Sequence, residues 1–153
     1  MGQQQLLLLV LSTVIVGLAT VAGIQAFSEN QAQATQDALI QRSTQIASDL
    51  VAADGKPSQM GGIDLTNGSS KTSDWANAIG LSSDTGIDAG GAGDGAACEI
   101  KDGSGDGSYG FDGSAQAYVE CDGPDGAEIE VGINPGDASG DDIGTAIVTT
   151  ASA

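Results

Sequence analysis

Leu6 to Ile24 reads LLLLVLSTVIVGLATVAGI, 19 residues without a single charge. As a helix this run is about 28 Å long, which matches the hydrocarbon thickness of a bilayer. Its hydroxyl residues, Ser12, Thr13 and Thr20, can bond back to helix carbonyls and so do not oppose insertion. A soluble core helix of this uniformity needs other apolar sequence to surround it, and the rest of the chain is too poor in it. Two homes remain: lipid, or a bundle of copies of the same helix. Gly17, Ala19, Ala22 and Gly23 are small enough to let helices approach closely.

The run does not end in a break. From Ile24 to Ala53 there is neither proline nor glycine, and good helix formers dominate. Ile24, Phe27, Ala34, Ala38, Ile46, Leu50 and Ala53 return to one face, with Glu29, Asp37, Arg42 and Asp49 between them. Asp54-Gly55-Lys56-Pro57 is a stop signal. One helix over 3–53 is therefore predicted, apolar all round at first and then on one stripe only. A cleavable secretory signal would exit near Ala32-Gln33-Ala34, but Met1 to Gln5 lacks the basic patch such a signal opens with.

Beyond Pro57 the composition changes. Residues 54–153 hold 18 acidic side chains against Lys56, Lys71 and Lys101, and 21 of the 24 glycines. Ser73 to Gly80 reads as a short helix capped by Ser73, with Trp75 and Ile79 facing inward. Four strand-like stretches follow: Ala97–Lys101, Ala115–Cys121, Glu128–Ile133 and Thr145–Thr150. The predicted class is α+β, a long N-terminal helix whose stripe packs on a small antiparallel sheet. Trp75, Tyr109, Phe111 and Tyr118 are the only large aromatics after residue 53, so this core is thin. Cys98 and Cys121 lie centrally in neighbouring strand candidates. Paired, they would close a loop of 24 residues and add about 3 kcal/mol; the other reading is two buried thiols. Two cysteines beyond a membrane segment suit an oxidising compartment.

Chemistry is narrowly bounded. Histidine is absent, which excludes imidazole general bases, Ser-His-Asp and Cys-His catalysis and His-ligated zinc. A net charge of −17 argues against nucleic acid, which needs clustered Lys and Arg. Asp102, Ser104 and Asp106 place oxygens at alternate positions with Gly107 at the sixth, like the start of a calcium loop. The acidic ligand due at the twelfth position is replaced by Gly113. No metal site is assigned, and calcium is the one cofactor left open. Gly90 to Asp94 misses the spacing of a calcium repeat and does not recur. Asp84-Thr85-Gly86 matches the tripeptide of aspartic proteases, but Ser82-Ser83 stand where an apolar strand should deliver the aspartate, so it reads as a surface turn. Asn67-Gly68-Ser69 marks only an exposed loop. No carboxylate pair is marked as buried, and the chain reads as not being an enzyme.

Taken together, Gly2 before Gln3-Gln4-Gln5, the apolar run, the amphipathic continuation to Ala53 and a small cysteine-bearing β domain resemble the type IV pilins and pilin-like proteins. The resemblance is specific over about residues 2–53 and architectural beyond. It implies that a prepilin peptidase cuts between Gly2 and Gln3, and that the new N-terminus is methylated. It further implies a helix that anchors the subunit in the cytoplasmic membrane and later packs in the core of an extracellular filament. Leu7 stands where bacterial members usually carry glutamate, and the Gln run is closer to archaeal pilins. The acidic surface, with Asp outnumbering Glu 16 to 5, resembles that of extreme halophiles, whose self-repulsion is screened at high salt.

The expected organisation is a leader remnant at 1–2, a membrane and filament-core helix at 3–53 and an acidic globular β domain at 54–153. The expected function is structural: a subunit of a type IV pilus-like filament or pseudopilus. Its expected partners are its own copies, the membrane, the peptidase and the assembly machinery. The alternative is a single-pass signal-anchored or secreted acidic domain that binds cations or a cell-envelope partner.

Overall fold

The computed structural model describes residues 2–65, 71–103, 117–124 and 126–134, and the backbone of 143–146. Helix α1 runs Gly2–Asp54. A short 3-10 turn, Ser58–Met60, follows. Next come helix α2, Thr72–Ala78, and five strands: β1 Ile87–Asp88, β2 Ala97–Asp102, β3 Ala117–Asp122, β4 Glu128–Ile133 and β5 Ile143–Ala146. The strands form one antiparallel meander in the order β1-β2-β3-β4-β5. The chain divides into two units, one up to Ala34 and one from Thr35 onward.

In the second unit α1 buries Thr35, Leu39, Ser43, Ile46, Ala47, Leu50 and Ala53. The spacing of three and four makes these one stripe. It differs at its start from the stripe expected from the sequence. Ile24, Phe27 and Ala34 are exposed and Ala38 only half-buried, while Thr35 and Ser43 are inside. The two hydroxyl residues fit because Ser43 Oγ donates to the Ile40 carbonyl at 3.1 Å, and because the Thr35 methyl faces the turn at Gly123.

The sheet supplies the opposite wall. Its inner face is built in rungs across three strands: Cys98–Cys121–Ile129, Ile100–Val119–Val131, and Ala117 beside Ile133. All of these are buried and join Leu39, Ile46, Ala47, Leu50, Leu65, Trp75 and Ala76 in one core. The pleat fixes this division, since alternate residues of a strand point to opposite faces.

Helix α2 starts two residues earlier than a Ser73 cap implies. Its N-cap is Lys71, without a side-chain cap. Thr72 Oγ1 instead donates to the Asp84 carboxylate, which ties the helix to the following turn. Gly80 adopts φ 83° just past the helix, the left-handed conformation that glycine tolerates best. Trp75 is buried and Ile79 half-buried, in keeping with their spacing.

Two glycines are fixed by close packing. A Cβ on Gly62 would overlap the Lys56 carbonyl, in the loop that leaves α1. A Cβ on Gly123 would come within 3.0 Å of Thr35 Cγ2 and 3.1 Å of Leu39 Cδ1. The β3–β4 turn therefore lies directly against α1.

Strand β1 is an addition to the sequence reading. Two residues are too short to register as a periodic signal. Strand β5 begins two residues before the expected start at Thr145. The rest of its expected span, 147–150, lies outside the described residues. So do 115–116 of the expected second strand, 104–113 and the Asn67 tripeptide.

Cys98 and Cys121 form a disulfide with Cα atoms 4.0 Å apart. They stand directly opposite each other on β2 and β3. Replacing both with Ser is expected to lower unfolding stability by about 2–4 kcal/mol. Denaturant unfolding of the full chain in detergent checks this; two titratable thiols in the unreduced parent would contradict the bond.

Candidate functional site

Two surfaces stand out. The first is the N-terminal unit. No residue of α1 before Thr35 is buried. Leu6 is 67% exposed and Phe27 65%. Thr13 Oγ1 donates to the Val10 carbonyl and Thr20 Oγ1 to the Val16 carbonyl, both at 2.8 Å. Their polarity is thus absorbed within the helix, as residence in lipid requires. Helix α1 is long and apolar enough to cross a membrane, and its apolar window is unburied.

Gly2 and Gln3, the expected processing site, lie in the first turn of α1. Nothing stands within 4 Å of where a Cβ on Gly2 would sit. A larger residue there is compatible with the fold, so any requirement for glycine at this position is not one of packing.

The second surface is the outer face of the sheet. The residues that alternate with the core rungs are Ala97–Asp122–Glu128, Glu99–Glu120–Glu130 and Lys101–Tyr118–Gly132. The middle rung is three carboxylates side by side, Glu99 and Glu120 half-buried and Glu130 buried. Like charges directly opposite across strands repel. Lys101 Nζ relieves part of this, at 2.8 Å from Glu120 and 3.7 Å from Glu99. It also lies 6.0 Å from the centre of the Tyr118 ring. Burial pulls its pKa down, but the hydrogen bond and charge of Glu120, with Glu99 and Tyr118, outweigh that and leave it raised.

Asp122 sits in the adjoining rung, at the exposed end of β3. Partial loss of water around its carboxyl pushes its pKa up, the charge of Glu120 adds to this, and Lys101 opposes both. Glu120, Asp122 and Glu128 bring carboxylate oxygens within 4.8 Å of one another. Among the described residues, these three are close enough to share one hard cation. Sequence reading missed them because the grouping is made by strand register, across 120–128, and not by a local motif. Of the calcium-loop residues, Asp102 ends β2 and is exposed. Ser104 and Asp106 lie outside the described residues. Asp84 accepts from Thr72 at the base of a turn, a structural role.

No protein family, curated protein or solved structure matches the chain.

The raised Asp122 pKa carries a sign. Its contribution to stability is complete below the ordinary value of 3.8 and is lost as pH rises through the raised folded value. At neutral pH the ionised group therefore opposes folding. Solvent screens a carboxylate this exposed, so the effect is small. Asp122→Asn is expected to melt about 1–2 °C above the parent at pH 7, with the gap closing below about pH 4. Melting curves of both chains across pH check this, and a gap that does not vary with pH would contradict it.

Repulsion across the acidic face also sets a salt response. The melting temperature of the full chain is expected to rise with NaCl up to molar concentrations, with KCl acting alike, because the effect is screening. A cation held by the carboxylate trio would instead saturate at low calcium, with ionic strength held constant. A melting temperature flat in NaCl would overturn the screening argument.

Proposed function

We propose that this chain is the structural subunit of a type IV pilus-like extracellular filament or pseudopilus. The observation that carries the reading is the helix α1 itself. Its residues before Thr35 are unburied and largely apolar, while those after it anchor a disulfide-bonded sheet domain. Such a surface is not stable in water. Lipid and a bundle of parallel copies both cover it, and a subunit that moves from one to the other uses both.

In this reading Gly2–Gln3 is the peptide cut by a prepilin peptidase, and the amino group of Gln3 is then methylated. The helix holds the subunit in the cytoplasmic membrane until the assembly machinery moves it into the filament. The acidic domain becomes the filament's outer surface. The second reading, a single-pass or secreted domain that binds a cation or envelope partner, draws on the Glu120, Asp122 and Glu128 grouping.

The two readings differ at the N-terminus. Intact-mass and N-terminal analysis of the protein from its own cells is expected to find a chain that starts at a methylated Gln3. Gly2→Ile is expected to accumulate as the uncut chain in the membrane, since the fold has room for that side chain. A start between Phe27 and Thr35, or normal processing of Gly2→Ile, would favour the second reading.

A further inference from the structure

The chain has four cationic side chains and 21 carboxylates, yet only Lys101 forms an ion pair among the described residues. Arg42, the chain's single arginine, is half-buried on α1. Its Nε donates to the Asp88 backbone carbonyl at 3.2 Å, and its Nη1 to Gln45 Oε1 at 3.2 Å. Both acceptors are neutral. They hold the guanidinium in place and leave Nη2 without a partner among the described residues.

Arg42 lines a recess of about 200 Å³. The other wall is the turn before β1, with Leu81, Ser82, Ser83 and Thr85. Ser83 Oγ accepts from the Thr85 amide at 3.2 Å, which orders the turn. Asp88 also lines the recess, and its carboxylate makes no ion pair with Arg42. A guanidinium held through Nε and Nη1 still has Nη2 to offer, and a carboxylate accepts a charge-assisted hydrogen bond there. The recess is smaller than pockets for ordinary organic ligands.

We propose that this recess receives an Asp or Glu side chain of a second copy of the chain. This rests on the filament reading. The occupant follows from charge: two heads that each carry a large acidic excess repel on approach. A contact between them needs a cation not already committed within its own copy. Arg42, Lys56 and Lys71 all meet that need among the described residues; of the three, Arg42 is the one held in place by hydrogen bonds of its own side chain. Neighbours in an assembly would present carboxylates at high effective concentration. The contact pairs two different surfaces, so it is heterologous and can propagate along a filament without closing.

The test uses the full chain, dispersed in detergent and then assembled. Arg42→Gln is expected to reduce assembly on the order of tenfold, the loss of one charge-assisted contact. The dispersed variant should melt close to the parent, which separates assembly from folding. Arg42→Lys keeps the charge and adds an amine. Assembled from isotopically light and heavy copies and treated with a carbodiimide, it should yield mixed-label cross-links from residue 42 to an Asp or Glu. Assembled filaments without such cross-links, or unaffected by Arg42→Gln, would overturn the proposal and leave the filament reading intact. A parent that never assembles would overturn both. Saturable stabilisation of the dispersed parent by phosphate, lost in Arg42→Gln and with no cross-link in filaments, would assign the recess to a small anion and overturn it too.

Discussion

The packing of one helical stripe on one face of the sheet holds the second unit together. The outer face contributes little cohesion, because its middle rung sets Glu99, Glu120 and Glu130 directly opposite one another. Like charges at that spacing destabilise a sheet. The attraction must come from the inner rungs, and those are small: valines, isoleucines, alanines and the cystine. Leu39, Ile46 and Leu50 of α1, each almost fully buried, cover them. The disulfide occupies one of these inner rungs. It ties β2 to β3 where the face behind them repels.

The same helix obeys two different rules along its length. From Thr35 it buries a stripe and leaves a polar back, the pattern of a helix on a soluble domain. Before Thr35 it buries nothing, and from Leu6 to Ile24 it is apolar all round. That is the pattern of a helix whose surroundings are apolar on every side. Backbone geometry does not distinguish the two regions. Side chains do, and with them the solvent each region requires. Glu29 is the first charged side chain along the chain, and it lies close to the change of rule.

Much of this is legible in the sequence, for reasons particular to each element. The helix is legible because 30 residues without proline or glycine, Ile24 to Ala53, carry on from the apolar run. Strands β2 and β4 are legible because they are rich in β formers and bounded by turn residues. The cystine follows from two cysteines in neighbouring strands. The buried stripe starts at Thr35, well after Ile24 and Phe27 where hydropathy starts it, and it is offset by one residue from Ala34 and Ala38 because hydropathy ranks Thr35 and Ser43 below alanine. Burial instead follows a methyl that fits against Gly123 and a hydroxyl satisfied by the Ile40 carbonyl. Strand β1 is invisible, since its two residues are held by pairing with Ala97 and Cys98 and not by any pattern of their own. The acidic face and the Arg42 recess are hidden for a common reason. Both are assembled from residues far apart in the chain.

Charge placement links the fold to the assembly proposed above. Lys101 is consumed on the outer face of the sheet, between Glu99 and Glu120. Arg42, Lys56 and Lys71 lie instead on or beside the helices: on α1, just past its end, and at the cap of α2. The remaining positive charge is therefore carried by the helical elements, while the sheet sets its carboxylates side by side. A uniform acidic shell would make every approach of two heads equally unfavourable, with screening as the only relief. The helices also carry Glu29, Asp37, Asp49, Asp54 and Asp74, so the cations are isolated points in an acidic surface, and points of that kind make some orientations better than others. In the filament proposed above, with so few cations per copy, orientation between copies would follow from where those few stand.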